Sequence, residues 1–264
     1  FYLVRKSGIP FGEFIFDFFL TFQAYLLTRK GDFTHFYNPN SCSWLLKITG
    51  RKIIHEGYPI ILDVLNASTS WFNLSGIRQI NAYRSSNLIV CPSIFVHSML
   101  GARGLGKNSR ILPYPLIVDK KKHSYIKPET LKIAFVGNLT VNKGFGIFLS
   151  AIKRLDKDKC DDMQFHVYGK NRGSFDVDKF NIFYHGYIES KNQSYLDAVD
   201  IVCLPSFHEG CSKVILESIS KGKLVIISKN TGIDITLSNV FLLNELTSIS
   251  LAEKIMEVSK IQEL

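Results

Sequence analysis

The 264 residues predict an α/β protein of two domains in tandem, each built on a parallel sheet. Three observations carry that expectation. From residue 131 onwards, β-branched and apolar runs of strand length alternate with stretches of helical period, the pattern of βαβ units. Several of these runs end at a Gly or Pro, which places loops at strand ends, where ligands bind in open α/β sheets. Between the halves, residues 113–128 hold Pro113, Pro115, Pro128 and the run Lys120-Lys121-Lys122 without apolar periodicity, the composition of a linker. The expected domains are therefore residues 1–118 and 131–264, joined by 119–130. A hydrophobic content of 46% supports a core in each.

In the first half, a helix running to Leu27 opens the order. Its segment 11–27 is rich in Phe and Leu but carries Glu13, Asp17 and Thr21, with Thr28 just after it, at near-helical spacing. It is shorter than the roughly 20 apolar residues of a membrane span, so a buried amphipathic helix is expected. Strand 33–37, helix 41–49, strand 51–55, helix 71–84, strand 87–91, helix 93–103 and strand 110–113 follow with weaker punctuation. In the second half the strands are 132–137, 164–169, 182–186, 200–205, 224–228 and 240–243. Helices 144–155, 193–199, 212–221 and 249–260 lie between or after them. Ser212 is a natural N-cap and Gly222 a natural C-terminal stop. The sum is two Rossmann-like domains with parallel sheets, with no internal repeat.

The net charge of +9 is unevenly spread: residues 1–128 hold 16 Lys and Arg against 6 Asp and Glu, and residues 129–264 hold 16 against 17. A half at +10 beside a half at −1 points to an anionic partner, such as a phospholipid surface or a phosphorylated acceptor. Five cysteines without metal-site spacing read as reduced thiols of a cytoplasmic protein. The chain opens on Phe1 with no leader pattern, which predicts a fragment with an incomplete first domain. No recognised RNA or DNA module accompanies the basic half, so nucleic acid is not an expected partner.

Neither G-x-G-x-x-G after a strand nor G-x-x-x-x-G-K-[ST] occurs, which removes the main support for dinucleotide oxidoreductases and P-loop enzymes. Another phosphate-binding device is needed. Val136-Gly137-Asn138-Leu139-Thr140 puts small and polar residues at a strand end, and Asn142-Lys143-Gly144 puts a lysine at a helix mouth, combining a point charge with free backbone donors. A solvated lysine in an ordinary loop is the plain alternative. Further on, residues 205–217 (PSFHEGCSKVILE) leave a buried strand, turn through Glu209-Gly210 and enter a helix. Glu217 lies five residues in, roughly 7 Å along the axis from an anion at the helix start, where its carboxylate can accept two hydrogen bonds from a ribose diol. A surface glutamate is the alternative, opposed by the flanking Val214, Ile215 and Ile219.

Together, Glu209 and Glu217 in an E-x7-E spacing, the preceding Pro205-Ser206, the following Ser218 to Val225 (S-x-x-x-G-K-x-V), Lys143-Gly144 and the Gly186 turn resemble the retaining glycosyltransferases of family four, whose fold is GT-B. The likeness runs from Ile133 to about Glu257 and more loosely over 32–115. It implies that Glu209 faces the donor sugar and Glu217 holds the ribose. The backbone at Gly210, Cys211 and Ser212, with Lys143, would take the diphosphate, Gly137 and Asn138 would line the same mouth, and the loops after Gly169 and Gly186 would flank the base. His55 matches a histidine that the family places near the transferring sugar, with a strand-end structural histidine as the alternative. The donor implied is a UDP- or GDP-sugar, with no other cofactor and no metal. The D-x-D triplets at Asp156 and Asp176 read as solvated loops. The acceptor implied is a saccharide or lipid-linked hydroxyl, in bacterial surface polysaccharide or glycolipid synthesis at the inner face of the cell membrane. Asn138 departs from the family, which commonly has an arginine there, and the family's first strand and closing helix are not visible. A nucleotide-sugar epimerase of the same fold and a non-catalytic donor-binding subunit are the rival expectations.

Overall fold

A computed structural model describes residues 12–37, 40–57, 74–115, 126–155, 162–171, 175–188, 194–233 and 237–261. The chain divides into two compact units, Phe1–Pro113 and Tyr114–Leu264. Most of the expected linker, and the start of the helix expected from residue 71, lie outside the described residues.

The first unit runs α1 (Gly12–Leu27), β1 (Phe33–Phe36), α2 (Trp44–Ile48), β2 (Lys52–Glu56), α3 (Leu74–Ser85), β3 (Leu88–Cys91), α4 (Ile94–Gly101) and β4 (Ser109–Ile111). Its four strands pair in chain order and all in parallel. Ile53, Ile89, Cys91, Val96 and Leu100 are buried at or near zero exposure between strands and helices. Ser93 caps α4 by accepting a hydrogen bond from the Val96 amide, which satisfies one of the unpaired donors at a helix start.

α1 corrects the expectation of a helix buried by its apolar face. Its polar positions are the buried ones: Asp17 is 3% and Thr21 2% exposed. The Asp17 carboxylate accepts from the Ser41 amide (2.9 Å) and hydroxyl (2.7 Å), and Thr21 Oγ1 donates to Asn40 Oδ1 (3.1 Å). The turn before α2 therefore needs both an acceptor and a donor, and the helix turns its polar stripe inwards so that Asp17 accepts and Thr21 donates, leaving Phe and Leu outside.

The second unit runs β5 (Leu131–Val136), α5 (Phe145–Arg154), β6 (Met163–Tyr168), β7 (Phe183–Gly186), β8 (Ile201–Leu204), α6 (Lys213–Ser220), β9 (Leu224–Ile227), β10 (Val240–Leu242) and α7 (Ser248–Val258). The sheet is parallel throughout, in the order β10-β9-β8-β5-β6-β7. All four residues of β8 and of β9 are buried, as expected of central parallel strands covered on both faces. Phe135, Phe145 and Phe148 form an aromatic centre with ring centroids 4.9 to 6.4 Å apart. Each fully buried phenylalanine contributes about 1.5–3 kcal/mol relative to exposure. The helix expected over 193–199 is a short 3-10 turn, Ser194–Ala198. α6 ends as expected: Gly222 takes φ 68°, its amide donates to Ile219 O, and the Lys223 amide donates to Ser218 O, the paired bonds of a Schellman stop.

Candidate functional site

The second sheet reverses direction between β5 and β8. From β5 the chain moves to β6 and from β8 to β9, on opposite sides. Right-handed crossovers then send α5 and α6 to opposite faces, which opens a crevice at the carboxyl ends of β5 and β8.

Gly137, Gly169 and Gly186 end three adjacent strands and are stitched side by side. The Gly137 amide donates to Tyr168 O (2.9 Å) and the Gly169 amide to Gly186 O (2.7 Å). A Cβ on Gly169 would lie 1.8 Å from Gly137 O, so this position admits glycine alone. Tyr184 closes the loop from the sheet edge, its hydroxyl donating to Gly169 O (3.0 Å) and accepting from the Asn171 amide (3.2 Å).

The loop after β5 leans on the loop after β8. Gly144, at φ 73°, passes so close to Pro205 that an added Cβ would sit 1.9 Å from its carbonyl oxygen. The Phe207 amide donates to Asn142 O (2.8 Å), and Asn142 Nδ2 donates to His208 O (3.1 Å). These contacts bring Lys143 and Glu209 together: the ammonium forms an ion pair with the carboxylate, the two side chains being 27% and 12% exposed. Ser206 Oγ donates to the same carboxylate oxygen (3.2 Å). An ammonium has three donors, so this pairing does not exhaust it. The Lys143 stem passes Gly137, where an added Cβ would lie 3.9 Å from its Cδ. Asn138 stands exposed at the mouth.

Further along the chain, α6 carries Glu217, half-buried on the second turn. Its charge reaches Tyr195, whose hydroxyl is pushed up to about 12 by burial and then by the Glu217 and Tyr168 charges. The Tyr195 ring lies 5.1 Å from that of Tyr168. The loop of Gly210 and Cys211 is half-buried between these groups. Ser212 departs from the expectation. It occupies the N-cap position without a side-chain cap bond. Its amide, expected to meet the diphosphate, donates to Thr231 O at 3.1 Å. The cause is the turn Lys229–Thr231, which accepts from Glu209 and Ser212 amides through Asn230 and Thr231.

His55 lies in the first unit. It is fully buried, stacked on Phe36 at 5.2 Å, with Nδ1 2.8 Å from Ser86 Oγ and Nε2 accepting from the Asn40 amide at 3.4 Å. Burial, then the neighbouring His35, lowers it to about 3. Asp176 of the second D-x-D triplet pairs with Lys179 at the surface (2.9 Å); the first triplet lies outside the described residues.

Asn230, Thr231 and Tyr195 line this candidate site and escape sequence reasoning. Ser206 and Asn142 stand within the expected motifs, but their partners, Glu209 and His208, follow only from the fold.

Residues 130–260 match the family model described as Glycosyl transferases group 1. An uncharacterized 41.2 kDa protein in the cps region of Klebsiella pneumoniae is 23% identical over 188 residues, covering 66% of this chain and 51% of that protein. The chain thus spans about half the length of the curated relative it matches. Among solved structures, the UDP-forming α,α-trehalose-phosphate synthase of Burkholderia xenovorans, in complex with glucose-6-phosphate, superposes at a TM-score of 0.68. Identity is 13%, over 95% of this chain and 71% of that one. WaaG, a glycosyltransferase involved in lipopolysaccharide biosynthesis, gives 0.62 at 14% identity, over 82% and 71%. These likenesses are of the GT-B fold.

Proposed function

Residues 130–260 belong to the glycosyl transferases group 1 family, and from that premise we propose that the chain moves a hexose-type sugar from a UDP- or GDP-sugar to an acceptor hydroxyl, with retention at the anomeric carbon. The observation that carries the reading is the Lys143–Glu209 pair at the mouth of the switch-point crevice, with Glu217 on α6 beside Tyr195. Departure of the diphosphate is the hard step. Lys143 and the start of α6 supply positive potential where that charge develops. Glu209 is released from Lys143 to the sugar hydroxyls as the phosphates take its place, and Glu217 accepts from the ribose diol. The acceptor attacks on the face the diphosphate leaves, with the leaving phosphate taking the proton. His55, sealed among Phe36, Asn40 and Ser86, holds the first sheet in this reading and does not touch the sugar. The cps-region relative and WaaG's part in lipopolysaccharide synthesis support a surface polysaccharide or glycolipid as product.

A thermal-shift series of sugar nucleotides tests this directly. A donor at about 100 times its Kd adds roughly 2.7 kcal/mol of stability, and the reading falls if no sugar nucleotide shifts the transition. Glu217→Ala is expected to weaken donor binding by about 1.5–3 kcal/mol, the loss of a charged acceptor; unchanged affinity by calorimetry removes its role. Lys143→Ala is expected to lower turnover and diphosphate affinity while free-nucleoside binding stays as it was. Equal losses for nucleoside and sugar nucleotide would instead make Lys143 a structural residue. A donor-binding subunit without turnover is the second reading, favoured by Asn138 where the family commonly has arginine; donor binding with no transfer or hydrolysis would select it.

A further inference from the structure

α1 is turned inside out. With Asp17 and Thr21 facing the protein, its outer surface presents Phe18, Phe19, Phe22, Tyr25, Leu26 and Leu27, the last two 65% and 85% exposed. α2 packs against it and adds exposed Trp44 and Ile48. Scattered apolar residues are ordinary on a surface, but a contiguous patch of this extent marks an interaction site.

What surrounds the patch identifies the occupant. Arg29 and Lys30 follow the helix directly, both exposed. The Arg51 guanidinium sits 4.2 Å from the Tyr25 ring centroid and donates to Tyr25 O (2.9 Å), and Lys52 Nζ lies 4.9 Å over the exposed Phe33 ring. Of the carboxylates of this unit whose exposure is described, Asp17 and Glu56 are buried and Asp32 is exposed. An apolar groove of a protein partner would not call for this basic fringe. A lipid surface does: aromatic and aliphatic side chains enter the acyl boundary while Lys and Arg remain among anionic headgroups. At 16 residues, about 24 Å long, α1 is too short to cross a bilayer, and no helix among the described residues is long and apolar enough to do so.

We propose that α1, with α2 and the fringe of Arg29, Lys30, Arg51 and Lys52, lies along an anionic membrane surface and inserts its outer apolar side chains. The inference does not depend on donor chemistry. The test is co-sedimentation of the full chain with vesicles of phosphatidylcholine containing about 30% phosphatidylglycerol, against phosphatidylcholine alone. Binding is expected to the anionic vesicles, to weaken as salt shortens the screening length from about 10 Å at 0.1 M towards 3 Å at 1 M, and to shift Trp44 emission to the blue. Leu26→Gln with Leu27→Gln is expected to weaken it at least about tenfold, since two apolar side chains leave the acyl boundary, and Arg29→Gln with Lys30→Gln to flatten the salt dependence. Both doubles keep the same far-UV circular dichroism and the same sugar-nucleotide thermal shift as the parent, so failure here is separable from failure of the glycosyltransferase reading. Absence of vesicle binding overturns the proposal, as does equal binding to neutral vesicles. So does self-association in light scattering that Leu26→Gln with Leu27→Gln abolishes, which would make the patch a contact between copies of this chain.

Discussion

Gly144→Ala is expected to cost the second unit about 2–5 kcal/mol. Two effects add: a non-glycine residue at the left-handed φ of 73° costs about 1–2 kcal/mol, and a Cβ 1.9 Å from Pro205 O forces the two loops apart, an overpacking worth about 1–3 kcal/mol. Gly186→Ala is the control, because its φ is 71° while nothing lies within 4 Å of the added Cβ; it should lose only the first amount. Both tryptophans, Trp44 and Trp71, belong to the first unit. Tryptophan emission in a denaturant series should therefore keep its midpoint in Gly144→Ala while far-UV circular dichroism shows the second unit melting early. Equal losses for the two variants would mean that the loops do not meet as described. Because the same contact brings Lys143 to Glu209, donor binding should fail in Gly144→Ala under conditions where the first unit is still folded.

Acid is expected to unfold the first unit through His55. Its ordinary value is 6.5 and its folded value about 3, lowered first by burial and then by His35. The unfolded chain therefore takes up a proton that the folded chain refuses. Stability from this group is complete above pH 6.5, falls by up to 1.36 kcal/mol per pH unit below it, and is lost by about pH 3, a total of about 4–5 kcal/mol. Denaturant midpoints followed by tryptophan emission between pH 7 and pH 4 measure the slope. His55→Gln should flatten it whatever that substitution does to stability at pH 7, and an unchanged slope would place the acid sensitivity elsewhere. His166 and His185, joined Nδ1 to Nε2 at 2.9 Å and both lowered chiefly by burial, give the second unit a response of the same sign.

Strands and the loops after them were legible in the sequence because each is a local pattern. β5 through β10 lie within one or two residues of the expected runs, since a buried parallel strand is a continuous apolar stretch that ends where a Gly or Pro stands. Lys143, Glu209 and Glu217 were legible as residues with a spacing, but not the ion pair between the first two, which depends on Gly144 meeting Pro205 across 61 positions of chain. The Ser212 amide was misjudged for the same reason, its acceptor Thr231 lying beyond β9. α1 defeated the periodicity argument more completely. Polar residues at helical spacing ordinarily mark the wet side of an amphipathic helix, and hydrogen-bond demand from Asn40 and Ser41 puts them here on the dry one. A helical period fixes that a helix has two faces, while only the neighbours fix which face is inside.

The strand order of the second unit carries a cost during synthesis. β5 pairs with β6 on one side and β8 on the other, yet β8 begins 65 residues after β5 ends, counting from Val136 to Ile201. At the usual 5–20 residues per second, the nascent chain spends roughly 3–13 s with the middle strand of the finished sheet standing as an open apolar edge. An edge of that kind templates pairing with other chains. A chain ended at residue 199 should therefore be retained by a holdase and sediment without it, and one extended past Leu204 should begin to escape it; a soluble, unretained chain ending at 199 would show that β5 is shielded some other way until its partner arrives.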